Sequence, residues 1–258
     1  MSSQLTVEGG TEARWTSAAG NEQRISSGRL VSRERYNADS TRMGAYVSGR
    51  LTLGRATLVP GARVDRWSIV HDTALSPWLQ ATLPLGRGLT IKAGTGIYRQ
   101  APDTAQVKGT RGSSFLNVEK AAQYDIGVEG RLSRQLRWQA TVYDREDRGL
   151  LRLPGTEVRL SATNTIINTS TTLPWLNSLD GHSRGIEWLL ERHADHGLSG
   201  WMSYALGFTR YGDRGTGEHF WGDFDQRHTF NAFGTYRLSD RTSMSARLRL
   251  GKIGRAHV

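Results

Sequence analysis

Cysteine is absent from all 258 residues, which removes disulfide frameworks, thiolate metal centres and cysteine nucleophiles from consideration. Proline is scarce and glycine plentiful, 6 residues against 30, or roughly 2% and 12% where about 5% and 7% are usual. That balance favours many turns over extended disorder. Lysine is confined to Lys92, Lys108, Lys120 and Lys252, so arginine supplies nearly all of the 34 basic residues. No stretch approaches the ~18 consecutive apolar residues of a membrane-spanning helix; hydrophobic residues make up 37% and the mean hydropathy is −0.51. Helical membrane proteins are thereby excluded.

Against 24 acidic residues the basic excess is +10. A nucleic-acid binder concentrates such an excess on one face or arm beside a recognisable motif, whereas here it is dispersed, and no nucleic-acid partner is expected. Met1 to Leu5 carry neither the basic nor the apolar region of a signal peptide, and the chain opens inside a strand pattern. At the other end, residues 252–258 continue no pattern and resemble a translated sequencing adapter. The expectation is a partial barrel over 1–251, interior to a longer protein, followed by a foreign tail.

What is present is alternation. Apolar and polar residues exchange with period 2 over about ten positions, the mark of strands and not of helices. Tyr124, Ile126, Val128 and Leu132 share one face of 121–132, with Gln123, Asp125, Glu129 and Arg131 on the other. After a polar turn at Ser133 to Gln135, Trp138, Ala140 and Val142 oppose Arg137, Gln139, Thr141 and Tyr143. The device recurs along the chain and gives about eleven strands, with no helix needed anywhere.

Short links fall at Gly54–Arg55, Leu85 to Gly88, Ser133 to Gln135, His193 to Gly197 and Ser239 to Arg241, and longer ones at about 18–40, 99–120, 149–182 and 212–225. The two kinds alternate, which in an up-and-down sheet puts long loops on one rim and tight turns on the other. The apolar face suits hydrocarbon, and the opposite face carries charge: Arg63, Arg99, Arg131, Arg137, Arg227 and Arg247 are expected there, mostly paired with acids on neighbouring strands. The fold class is therefore all-β, an antiparallel up-and-down transmembrane β-barrel, incomplete. A soluble β-sandwich or carbohydrate-binding β-protein accommodates each strand singly, and fits their number, length and loop asymmetry less well.

Catalytic motifs do not emerge, and the chain is not expected to be an enzyme. Gly94-Thr95-Gly96 lies inside a strand pattern with no following helix or Lys-Ser/Thr, so it is no phosphate loop. His193, Asp195 and His196 are metal ligands by type but occupy a tight turn, which reads as solvated loop. No metal site or cofactor is expected. Tyr98 and Arg99 end a strand where a ligand would first arrive. Leu173-Pro174-Trp175-Leu176 and Phe220-Trp221-Gly222-Asp223-Phe224 put Trp175, Phe220 and Trp221 on long loops, either for ligand capture or for packing and an interfacial girdle.

Several stretches resemble the barrel of TonB-dependent outer-membrane receptors. Val59-Pro60-Gly61-Ala62-Arg63-Val64-Asp65 resembles that family's PGxRxD strand; Leu75-Ser76-Pro77-Trp78-Leu79 resembles xSPRL with Trp78 where Arg is usual; and Gly96 to Pro102 is similar to GxYRQAP. Asn117 to Glu129, Ser183 to Glu187 and Asp225 to Asn231 also look familial, in the family's order. The resemblance implies about 11 strands of a roughly 22-stranded barrel, bacterial outer-membrane lipid around it, contact with the TonB complex through a plug domain not seen in this stretch, and import of a scarce nutrient such as a ferric siderophore. A passive porin-like barrel is the alternative.

Overall fold

The computed structural model describes every residue except 1–3, 27, 155–158, 161–165, 168–172, 195, 223–224, 240 and 254–258. In chain order it contains β1 (Gln4–Ser26), β2 (Arg29–Leu53), β3 (Ala56–Trp67), β4 (Asp72–Gly86), β5 (Leu89–Gln100), α1 (Thr104–Lys108), β6 (Glu119–Arg131), β7 (Leu136–Arg152), β8 (Arg159–Leu160), β9 (Ile166–Ile167), β10 (Leu176–Arg192), β11 (Gly197–Asp213), β12 (His219–Trp221), β13 (Gln226–Ser239) and β14 (Thr242–Ile253). Eleven strands form one antiparallel sheet in the order β1-β2-β3-β4-β5-β6-β7-β10-β11-β13-β14, with β12 paired to β11 and β8 paired to β9. Every neighbour in the main sheet is a neighbour in sequence, as an up-and-down barrel wall requires. The sheet is open.

Register shows how the alternation divides the faces. Ile126, Val142 and Ile186 stand directly opposite one another on β6, β7 and β10, while Gly127, Thr141 and Glu187 form the adjoining row on the reverse side. The apolar face is bare: Ile126 is 53% exposed, Val142 46% and Ile186 42%. Among the described residues no large side chain is fully buried, so no sheet packs on this one and no conventional core exists. Trp138 and Trp188 lie on this face toward the short-turn rim and Tyr124 toward the other, the placement of interfacial aromatic girdles.

The charged face carries ion pairs. Arg63 meets Asp65 at 2.7 Å and Glu12 at 3.0 Å; Arg42 meets Asp65 at 3.1 Å; Glu129 is shared by Lys92 at 2.9 Å and Arg137 at 3.1 Å. Arg99 departs from expectation, because register places it with Ile97 and Lys120 on the outward face and Tyr98 on the inward one.

All five short turns fall on one rim. One of them joins β4 to β5, where Gly86, Arg87 and Gly88 all have positive φ (92°, 52° and 78°), a conformation that glycine adopts without a Cβ penalty. The opposite rim holds the segments 101–118, 153–175 and 214–225, and also two tight links. One joins β3 to β4 through 68–71. The other corrects the long loop expected at 18–40, most of which is the outer half of the β1–β2 hairpin, whose strands end at Ser26 and resume at Arg29. Strands of 23 and 25 residues are about twice what the hydrocarbon requires. Beyond the lipid both faces meet water, so the alternation that marks a strand disappears. For the same reason 149–152 and 176–182 are strand, not loop. Of the tail expected to be foreign, Lys252 and Ile253 continue β14, and 254–258 lie outside the described residues.

The buried apolar residues gather under the segment 101–118. Val107, Leu116, Val118 and Ala121 are each less than 10% exposed, as is Trp67 on β3. The helical turn α1 starts after Asp103, whose backbone N–H donates to the Gln106 side chain at 2.7 Å, and sequence periodicity is blind to so short an element. Past α1, the Arg35 N–H donates to Thr110 Oγ1 at 3.0 Å and the Thr110 N–H to Glu34 at 2.8 Å, tying the segment to β2. Arg111 then donates to the Leu173 carbonyl at 2.9 Å and to the Pro154 carbonyl. One segment thus bridges β2 and the 153–175 connection across the rim.

Candidate functional site

Three inward-facing devices near the long-loop rim share one design, an aspartate held by an arginine two residues away in sequence, within one strand for the first two pairs and at the entry to β13 for the third. Arg63 and Asp65 form one, Arg145 and Asp147 a second at 2.7 Å, and Asp225 and Arg227 a third at 3.2 Å. Asp65, Asp147 and Asp225 are all buried. Two residues along a strand return to the same face, so the spacing alone sets the geometry, and the charge-assisted bonds satisfy carboxylates that burial would otherwise penalise. On β3 the same face includes Gly61. A Cβ there would fall inside the Trp78 indole, so the glycine makes room for the ring.

The aromatic residues expected on the loops are engaged. Phe220 and Trp221 lie in β12, half-buried: the Arg152 guanidinium sits over Phe220 at 5.7 Å, and Arg227 and Arg210 sit over Trp221 at 4.6 and 5.8 Å. Arg152 also pairs with Asp213, and with Glu218 at 3.6 Å. Of this cluster's sequence neighbours, Asp223 and Phe224 lie outside the described residues. Trp175 donates its backbone N–H to the Arg111 carbonyl at 2.9 Å. Of the three turn residues weighed as ligands, Asp195 is outside the described residues, and the described ones contain no group of His, Asp and Glu fit to hold a metal ion.

Tyr98 and Arg99 border a cleft of about 310 Å³ together with Glu119, Lys120, Arg145 and Asp147. Glu119 sits at the rim, above the apolar band, and accepts the Leu151 N–H at 2.7 Å. Burial, reinforced by Asp147 and Asp103, holds its carboxyl above the usual carboxylate range against the opposing pull of that hydrogen bond and of Arg145. Arg99 also borders a second cleft, of about 530 Å³, whose other walls include Arg14, Arg42, Trp67 and the start of the 101–118 segment. Pairing between β4 and β5 stops at Trp78 and Gly96, so the last residues of β5 have no strand beside them on that flank. Arg14, Arg42, Trp67 and Arg111 were not anticipated from sequence. Each lies in an ordinary strand or loop context; the register brings Arg14, Arg42 and Trp67 to one place, and Arg111 meets the 153–175 connection instead.

An outward apolar wall, an inward paired-charge face and a crowned rim are what the family comparison then puts in context. The model for the TonB dependent receptor-like β-barrel matches residues 4–254. This chain belongs to that family. Comparison with curated proteins finds no match. Among solved structures, the FrpB iron transporter from Neisseria meningitidis is 14% identical with a TM-score of 0.67, covering 95% of this chain and 40% of its own. The siderophore receptor PirA from Acinetobacter baumannii is 19% identical, TM-score 0.65, covering 92% and 38%. A mutant ferric enterobactin receptor PfeA from Pseudomonas aeruginosa, in complex with enterobactin, is 19% identical, TM-score 0.66, covering 83% and 33%. At such identities the likeness is one of fold. The TonB-dependent receptor barrel described here spans 33–40% of the length of these three structures. The quoted motifs acquire a physical reading: PGxRxD is Gly61 beneath Trp78 followed by the Arg63–Asp65 pair, all on the inward face.

Proposed function

We propose that this chain is part of the barrel of a bacterial outer-membrane receptor that captures a scarce nutrient, such as a ferric siderophore, at its outer rim and imports it with energy delivered by the TonB complex through a plug domain. It carries out no covalent chemistry. The observation that carries the reading is the division of one continuous sheet into a bare apolar face and an ion-paired face, with its long connections gathered on a single rim. Family membership supports it, as does the likeness of fold to proteins described as an iron transporter and a siderophore receptor. Tyr98 and Arg99 bordering a rim cleft supply a first contact, with Trp175, Phe220 and Trp221 on the neighbouring connections as further candidates.

The full-length receptor expressed in an iron-starved Gram-negative host without other ferric-chelate receptors should restore uptake of radioiron supplied with a panel of chelates, and a protonophore should abolish that uptake. Uptake that persists after the inner-membrane gradient is collapsed would identify a passive pore instead.

A further inference from the structure

On the outward face, the apolar run of several strands gives way to a cation toward the long-loop rim. On β3 this is Arg66, after Ala62 and Val64; on β5 Arg99, after Ala93 and Ile97; on β6 Lys120, after Ile126, Tyr124 and Ala122; on β10 Arg184, after Trp188 and Ile186. On β7 the corresponding residue is an acid, Asp144, and His182 Nε2 lies 2.8 Å from it. The belt is staggered: Arg99 and Lys120 share one row, whereas Arg184 stands with Asp144 in the row of Tyr124, nearer the short turns. Strands tilted by about 45° and crossing one level of the membrane produce such a stagger. Lys120 lies beyond Tyr124 by roughly 9 Å of height at that tilt, where a long cationic side chain reaches lipid headgroups.

Protein groups do not neutralise this belt. Arg99, Lys120 and Arg148 stand directly opposite one another on β5, β6 and β7, with Cβ atoms about 5 Å apart from strand to strand, and like charges so placed repel. Arg148 is offset by Glu146 at 3.4 Å. The acid next in the row, Asp180, is engaged by Arg214 at 3.3 Å and by the Gly149 N–H at 3.0 Å. The side chains of Arg66, Arg99, Lys120 and Arg184 have no hydrogen bond or ion pair with any described residue, and the Arg99 Nε is buried as well as unpartnered. Leaving a guanidinium nitrogen desolvated and unpaired is costly. The row stands on the lipid-facing side of the sheet, so the missing anion is one that the membrane supplies. We propose that Arg99 and Lys120, flanked by Arg148 and Arg184, dock a phosphate group of a lipid headgroup in the leaflet beside the long-loop rim. The inference rests on the lipid-facing assignment of the outward face and not on the import step.

The test uses the full-length receptor in detergent and reads bound lipid by native mass spectrometry. The probes are diphosphorylated lipid A and the same glycolipid with both phosphates removed, which share their acyl chains. The phosphorylated form should bind saturably and about tenfold or more tightly than the stripped one. Lys120→Gln should weaken its binding about fivefold and the Arg99→Gln/Lys120→Gln double variant about twentyfold, as the loss of one and two cations beside an anionic headgroup implies. Lys120→Arg, which keeps the charge, should retain it, and Arg247→Gln, on the inward face of β14, should leave it unchanged. Equal affinities for the two glycolipids, or a double variant that binds as the wild type does, would overturn the inference. Displacement of the lipid by excess inorganic phosphate would assign the cations to free phosphate and overturn it as well. A receptor with the phosphate preference but no energised uptake would leave the lipid site standing and count against the import role alone.

Discussion

At the scale of single residues, side-chain size and desolvation decide more than propensity. Gly61 is required because Trp78 covers it. Gly61→Val should destabilise the barrel by about 1–3 kcal/mol through overpacking, and Trp78→Ala should relieve most of that cost in the same background. If the double variant unfolds in denaturant as readily as Gly61→Val alone, the steric explanation fails. Glu119 makes a pH-dependent prediction. Its carboxyl is held above the ordinary value of 4.5 in the folded state, so folding favours the protonated form. The advantage is complete below the unfolded-state value and is lost as pH rises through the folded-state one. Glu119→Gln is neutral at every pH and keeps an acceptor for the Leu151 N–H, so it should raise Tm by about 2 °C near pH 7 and change nothing near pH 4. A lower Tm at pH 7 would contradict the assignment.

At the scale of elements, the strands between lipid boundaries were legible because hydrocarbon on one side and water on the other force a period of two. The pair 121–132 and 136–143 reads directly from Ile126, Val128 and Val142 against Asp125, Glu129 and Thr141. Outside the boundaries that force vanishes, and the outer half of the β1–β2 hairpin, with Asn21 facing Arg35 and Gly20 facing Tyr36, is indistinguishable in sequence from a polar loop. The rim residues Tyr98 and Arg99 were legible as the end of a strand. Arg14 was not, because its meeting with Arg42 depends on a register that no local pattern encodes. The 101–118 segment is similar: its buried Val107 and Leu116 are visible as apolar residues, but its path across the rim depends on Arg111 reaching two carbonyls of a distant connection. Arg111→Ala should therefore expose 101–118 and 153–175 to limited proteolysis several-fold faster while leaving the barrel's Tm unaltered. Unchanged cleavage kinetics would show that the bridge holds nothing.

At the scale of the whole molecule, the sheet makes sense only in two solvents at once. Among the described residues it buries almost no apolar side chains between layers, and its outward row of Ile126, Val142 and Ile186 has no protein partner. An arginine on that row should cost about 2–4 kcal/mol in a lipid bilayer, whereas one on the adjoining inward row should cost far less. Comparing Val142→Arg with Thr141→Arg by urea unfolding of the full receptor in phospholipid vesicles checks this, and equal penalties would place both positions in the same environment. The absence of cysteine permits the most direct measurement, because single thiols can be introduced one at a time and labelled with nitroxides. For consecutive positions 123–130 and 138–143 of the full receptor in vesicles, collision with oxygen should peak at Ile126, Val128, Ala140 and Val142, and collision with a water-soluble nickel chelate at Asp125, Gly127, Gln139 and Thr141. Two profiles out of phase with period two are the predicted result; profiles that rise and fall together would contradict the account.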